Sequence, residues 1–270
     1  RSTSDTTGLE TLAGSLEWIE GDLAAAGSER ALVAGCDAIV HSALYHPGGS
    51  FRGGEGDLLT FVETNVVGTL RLIETARSAD VGRFVLISTC AVHEQILDDR
   101  PLDERHPCVP TTHYGAHKAA LEQFVYSFGL GQGYPICAVR PTGVYGAAHP
   151  IENSKWFDLV ATVVRGEQVV CRKGGKEVHA ADVARAVELL LRADGIAGEV
   201  FNCYDRYTSH YEVATLAQQL AGASGPIEGG PTRPRHEIET GKLRALGMQF
   251  GGEQLLASTI EELVAGVQAH

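Results

Sequence analysis

Pro110-Thr-Thr-His-Tyr114-Gly-Ala-His-Lys118-Ala-Ala-Leu-Glu-Gln-Phe-Val-Tyr-Ser-Phe-Gly-Leu-Gly-Gln-Gly133 enters on proline, continues as an amphipathic run and ends among glycines. That punctuation marks one helix. Tyr114 and Lys118 are four apart and so stack on one face of it. A phenol beside an ammonium is a tunable acid and base: the cation favours phenolate and draws a tyrosine pKa from about 10 toward neutrality. Eight tyrosines and five lysines in 270 residues give roughly 0.15 such pairs by chance. A surface Tyr-Lys pair is therefore the plain alternative, and the neighbouring segments decide.

Arg83-Phe-Val-Leu-Ile-Ser88 before the helix and Ile136-Cys-Ala-Val-Arg140 after it are short apolar runs that read as buried strands, as does Ala38-Ile-Val-His-Ser-Ala43 upstream. From Asp57 to Ala79, Leu58, Phe61, Val62, Val66, Leu70, Ile73 and Ala76 fall at helical spacing. Strand, helix, strand, helix, strand at these lengths predicts an α/β fold, a doubly wound, Rossmann-like parallel sheet. Upstream, Leu16–Glu20 alternates like a short strand. Ser28 is placed to cap a short helix through Val33, with Gly35 past its end, and 45–56 is a glycine-rich loop.

Beyond Gly146 the pattern loosens. Helices are expected at 154–165, 179–193, near 209–222 and at 253–268, with strands near Val169-Val170 and at Val200–Cys203. The expected division is a dinucleotide-binding domain of residues 1–145 plus 179–203, and a substrate lobe of 146–178 plus 204–270. Specificity is expected in that lobe.

Apolar content of 44% and charged content of 21% suit a globular enzyme with a real core. A net charge of −12 argues against nucleic-acid or anionic-membrane partners. The six cysteines are scattered without a Cys-x-x-Cys pair, as in a reduced, cytoplasmic protein. No signal peptide and no membrane-spanning run is apparent. His113 and His117 have the i, i+4 spacing of a metal pair, but no third ligand is suggested and no metal is expected. Cys90 with His93 lacks an orienting acid for nucleophilic work.

Taken in order, Gly21-Asp22-Leu23, Val40-His-Ser-Ala43, Asn65-Val-Val-Gly68-Thr69, Ile87-Ser88-Thr89, Tyr114-x-x-x-Lys118, Arg140-Pro141 and Val178-His-Ala-Ala-Asp182 resemble the extended short-chain dehydrogenase/reductases, the NAD-dependent epimerase/dehydratase group. The resemblance spans residues 16–205. It implies NAD or NADP as cofactor and a reaction centre of Thr89, Tyr114 and Lys118. Thr89 would hold the substrate oxygen, Tyr114 would move the proton, and Lys118 would hold the nicotinamide ribose and keep the Tyr114 pKa down. It also implies cofactor contacts at Asp22, Leu23, Ala43, Asn65, Ser88, Tyr114, Lys118 and Pro141. Asn65 would act through backbone or water contacts. A small-molecule substrate, most often a nucleotide sugar, and a homodimer through helices 57–79 and 111–129 follow by the same analogy.

Four departures qualify the resemblance. The family's opening strand and Gly-x-x-Gly-x-x-Gly turn, which seats the pyrophosphate at a helix N-terminus, has no counterpart here. By analogy, roughly 30–40 residues are expected before Arg1. Arg1 would then follow the second strand and bear on the choice of NADP over NAD, Ala38–Val40 would be an unpaired sheet edge, and the chain as it stands would fail to bind NAD(H). Arg140-Pro-Thr-Gly143 lacks the asparagine usual in sugar-nucleotide epimerases. Gly175 stands near the place of their diphosphate-gripping arginine, though Arg172, Lys173 and Lys176 are close in sequence. His93 replaces a common tyrosine. The expected activity is that of an epimerase or dehydratase on a nucleotide sugar. The alternatives are a ketone or aldehyde reductase of a non-nucleotide substrate, or a non-catalytic cofactor-binding protein.

Overall fold

The computed structural model describes residues 9–48 and 53–269; Arg1 and the middle of the 45–56 loop lie outside them. The chain divides into two compact units.

The first unit comprises Arg1–Pro141, Ala186–Asn202 and Glu239–Gly247. Its sheet has the order β1 (Ala38–His41), β2 (Arg83–Ile87), β3 (Ile136–Pro141) and β7 (Glu199–Cys203). β1 and β2 run parallel with Val40 opposite Val85, and β2 and β3 run parallel with Leu86 opposite Ala138. Phe84, Val85 and Leu86 are all buried, as expected of a strand covered on both faces. β1 forms the sheet edge: Ile39 and His41 point inward while Val40 is exposed.

The helix after β1 has two parts, α2 (Leu58–Val62) and α3 (Gly68–Ser78), joined by a π turn at Glu63–Val67. Asp57 caps it by accepting from the Thr60 N–H at 2.8 Å. The wider π turn shifts the helical phase. Phe61 before the turn, Asn65 within it and Leu72, Ile73 and Ala76 after it face inward, while Leu58 and Val62 of the expected apolar stripe are exposed. The next helix, α4 (His113–Tyr126), starts after Thr112, whose hydroxyl accepts from the Gly115 N–H at 3.1 Å. It ends in a second π turn at Ser127–Gly131. Leu72, Ile73, Phe84, Leu86, Leu121, Val125 and Ile136 share the core. Each such side chain contributes about 1.5–3 kcal/mol by leaving water.

Two local expectations are corrected. Leu16–Glu20 forms no strand and is exposed, because alternation without a neighbouring ladder does not make one. The short helix α1 (Ser28–Val33) is capped not by Ser28 but by Gly27, at φ +99°. The Ser28 hydroxyl instead donates to the carbonyl of Asp22 at 2.8 Å.

The second unit comprises Thr142–Arg185, Cys203–Ile238 and Met248–His270. In it β4 (Gly143–Tyr145) pairs parallel with β6 (Gly174–His179), which pairs antiparallel with β8 (Arg206–Ser209). β5 (Val169–Cys171) pairs with β9 (Ile227–Gly229). Helices α5 (Phe157–Val164), α7 (His210–Ala221) and α9 (Gly252–Ala269) pack Val160, Val213, Ala217, Leu256, Ile260 and Leu263 into one core. α6 (Ala180–Arg192) precedes β7, and α8 (Gly241–Ala245) belongs to the first unit. Among the described residues, no helix is long and apolar enough to cross a membrane.

Candidate active site

Within the first unit, the chain leaving β2 packs on the start of α4. Thr89 caps a single 3₁₀ turn, Cys90–Val92, its hydroxyl accepting from the Ala91 N–H at 3.1 Å. The same hydroxyl hydrogen-bonds the Tyr114 phenol and favours its ionised form. Gly115 makes this closeness possible: a Cβ there would lie 2.7 Å from the Ala91 carbonyl oxygen and 2.8 Å from Pro110 Cβ. Gly115→Ala is therefore expected to push α4 off the turn, costing about 1–3 kcal/mol in urea unfolding. Unchanged stability would contradict this packing.

Lys118, one turn beyond Tyr114, is buried and donates from Nζ to the Ile87 carbonyl oxygen at 2.7 Å. Burial pushes its pKa down to about 8, against the pull of Glu122. Tyr114 departs from the simple expectation for a Tyr-Lys pair. Its pKa is raised, because burial outweighs the Thr89 hydrogen bond. The phenol is thus protonated at neutral pH.

The remaining expected residues divide into two sets. Asp22, Leu23 and Ala43 line one cavity of about 430 Å³, with Ser28, His41 and Tyr45. The Asp22 carboxylate accepts from the Ala24 N–H at 3.0 Å. The Leu23 carbonyl accepts from Arg71 Nη2 at 2.6 Å, and α3 comes so close that a Cβ on Gly68 would sit 2.5 Å from that oxygen.

Asn65, Ser88 and Pro141 are not among that lining. Asn65 is buried and clamps the Tyr45 backbone, accepting from its N–H at 2.7 Å and donating to its carbonyl at 2.9 Å. It thereby fixes the loop that carries the cavity wall. The Ser88 hydroxyl points to Glu122 Oε1 at 2.5 Å, and Pro141 is the buried last residue of β3. A nucleotide cofactor fits the first set, whose size suits an adenosine-sized group and whose carboxylate is a hydrogen-bond acceptor.

His117 stacks edge-on against Phe61 at 4.9 Å and lies 5.4 Å from the Tyr114 ring. Among the described residues, no three metal-ligating side chains gather. The Cys90 thiol donates to the Arg140 carbonyl at 3.0 Å. Three buried imidazoles have pKa values pushed down mainly by burial: His41 to about 4, His93 to about 4 and His117 to about 3. Their folded values lie below the ordinary 6.5, so the unfolded chain takes up protons that the native chain refuses. The stability they support is present above pH 6.5 and is lost as pH falls toward 4. Unfolding free energy at pH 5 is expected below that at pH 7, with uptake of up to about three protons. Equal stability at both would contradict it.

Sequence reasoning missed Glu122. The only signal was its place one turn beyond Lys118 on the same helix face. It forms a buried two-point ion pair with Arg140, Nε to Oε1 at 2.9 Å and Nη2 to Oε2 at 2.6 Å.

The family model for the NAD dependent epimerase/dehydratase family matches residues 1–203. A dTDP-glucose 4,6-dehydratase of Streptomyces niveus is 32% identical over 239 residues, which are 84% of this chain and 69% of that protein. Among solved structures, a double mutant of DesIV, a dTDP-glucose 4,6-dehydratase from Streptomyces venezuelae with NAD bound, superposes with a TM-score of 0.69 at 25% identity, covering 89% of this chain and 77% of that one. RMD from Pseudomonas aeruginosa, complexed with NADPH, gives a TM-score of 0.77 at 20% identity over 97% and 94% of the two chains, a likeness of fold. With the ordered motifs, the sheet and these matches together, the chain belongs to the NAD-dependent epimerase/dehydratase family.

Proposed function

We propose that this chain carries the reaction centre of an NAD(P)-dependent epimerase or dehydratase acting on a nucleotide sugar, with Thr89, Tyr114 and Lys118 as its catalytic residues. The observation that carries this reading is the Thr89 hydroxyl bonded to the Tyr114 phenol, with the Lys118 ammonium one turn along the same helix. The relative from Streptomyces niveus, named for a dTDP-sugar, supports the substrate class. The NAD in the Streptomyces venezuelae structure supports the cofactor.

Asp22, Leu23 and Ala43 would hold the adenosine end of the cofactor, and Lys118 the ribose next to nicotinamide. When bound, the cofactor supplies hydride transfer. On substrate binding, the single proton of the Thr89 hydroxyl turns from the Tyr114 oxygen to the substrate oxygen and fixes it beside Tyr114. In the oxidising direction the Tyr114 phenolate takes the hydroxyl proton as the C–O bond becomes a carbonyl; in the reducing direction the phenol returns it. The Thr89 bond before substrate binds, and nearby positive charge, favour the phenolate. The second unit is the proposed substrate lobe.

A second reading has its own support. A phenol held protonated at neutral pH is the form that donates a proton to a carbonyl, as a ketone or aldehyde reductase requires. Incubating the chain, extended by the N-terminal strand, glycine turn and helix of its family, with nucleotide sugars and NAD(P) separates the two readings. An epimerase or dehydratase converts the sugar and returns its cofactor unchanged, whereas a reductase consumes NADPH. Conversion of neither nucleotide sugars nor carbonyl compounds would defeat both.

We further propose a cytoplasmic homodimer formed through 57–79 and 111–129. Leu59, Val67 and Phe124, exposed on those helices, support that surface.

A further inference from the structure

Arg140 lies fully buried with an acceptor for each of its five N–H bonds. Two go to Glu122, one from Nη1 to His93 Nε2 at 3.0 Å, and longer ones to the Glu104 carbonyl oxygen and the Cys108 sulfur, both at 3.4 Å. Because Arg donates only, His93 Nε2 must accept, so its Nδ1 carries the proton facing the Pro107 carbonyl at 3.3 Å. His93 is therefore a neutral spacer, and among the described residues Glu122 is the carboxylate that hydrogen-bonds Arg140.

Glu122 also has a second and a third task. Its Oε1 accepts from the hydroxyl of Ser88, the residue before Thr89. Lys118 precedes it by one turn. The titratable groups that act on Lys118 are His41 on β1, and His117 and Glu122 on its own helix. Both imidazoles are neutral, so among the described residues Glu122 is the one anion acting on that ammonium.

We propose that Glu122 is a positioning residue of the reaction centre: its single carboxylate braces the strand end carrying Thr89 against the helix carrying Tyr114 and Lys118, and keeps Lys118 cationic. The inference rests on the catalytic reading above, but its test needs no turnover. One carboxylate shared by a guanidinium, a serine hydroxyl and the field of a buried lysine couples the geometry of the centre to its charge.

The test follows the ¹³Cε resonance of Lys118, assigned by its loss in Lys118→Met, through a pH titration of the whole chain. Glu122→Gln keeps the side-chain shape and removes the anion. The Lys118 midpoint is expected to fall by about one unit. Mere loosening of the fold would hydrate the ammonium and move the midpoint the other way, toward 10.5. A midpoint unchanged or raised overturns the proposal. Should the single variant fail to fold, Glu122→Gln with Arg140→Met leaves no unpaired buried charge and carries the same expected fall. Ser88→Ala cuts the brace and spares the ion pair. It should raise the ¹³Cζ titration of Tyr114 by weakening the Thr89 bond, and an unmoved Tyr114 signal would refute the brace. Failure here with Tyr114-dependent turnover intact would sink only this inference, whereas turnover independent of Tyr114 would sink the catalytic reading.

Discussion

Tyr114→Phe, in the chain extended by its family's N-terminal unit, should lower kcat by about 10²- to 10⁴-fold, the span of a lost general acid or base. The substitution removes one oxygen and keeps the ring that packs beside His117. The fold should therefore survive, and KM should change little if the phenol acts mainly in the transition state. Among the described residues, the side-chain hydrogen bond acting on the phenol's ionisation is that of Thr89, a neutral hydroxyl, so its loss leaves no buried charge unpaired. Undiminished turnover would remove Tyr114 from the reaction. A matching fall in thermal stability would instead recast it as a structural residue.

The second large effect is on stability. Arg140→Met should destabilise the chain by about 3–5 kcal/mol in urea unfolding, the usual cost of stranding one member of a buried ion pair. Both side chains are completely shielded from solvent, and Glu122 would be left with the Ser88 hydroxyl and the distant Cys108 thiol, at 3.9 Å. The double replacement Arg140→Met with Glu122→Leu should recover most of that loss, because an apolar pair of similar volume escapes the desolvation penalty. A single variant as stable as the parent would show that the pair is not the buried anchor its geometry describes.

The readable part of the chain was the part whose physics is periodic. β2 and β3 announced themselves as apolar runs because both of their faces are covered, and α4 as a capped amphipathic segment. The two π turns were illegible, because one extra residue per turn leaves no mark on composition. Just before the first of them, Leu58 and Val62 face outward where uninterrupted periodicity turns them in. The three-residue strands β4, β5 and β9 are too short to alternate, and only Val169-Val170 among them stood out. Leu16–Glu20 erred the other way, with alternation but no ladder.

At the candidate site, spacing alone placed Tyr114 above Lys118, and motif order placed Thr89 near them. Side-chain direction was not in the sequence. Nothing there says that Asn65 closes on Tyr45, that Ser88 turns to Glu122, or that Lys118 reaches back to Ile87. The sign of the Tyr114 shift was hidden for the same reason. It depends on how much solvent the phenol loses, a property of packing around Gly115 and Thr89.

A structure of the extended chain with oxidised cofactor and a reacting nucleotide sugar tests the reaction centre most directly. The sugar hydroxyl undergoing oxidation should lie within about 3 Å of both the Tyr114 and the Thr89 oxygens. A reacting hydroxyl that meets neither, and is held instead by some other acid or base, would contradict the account.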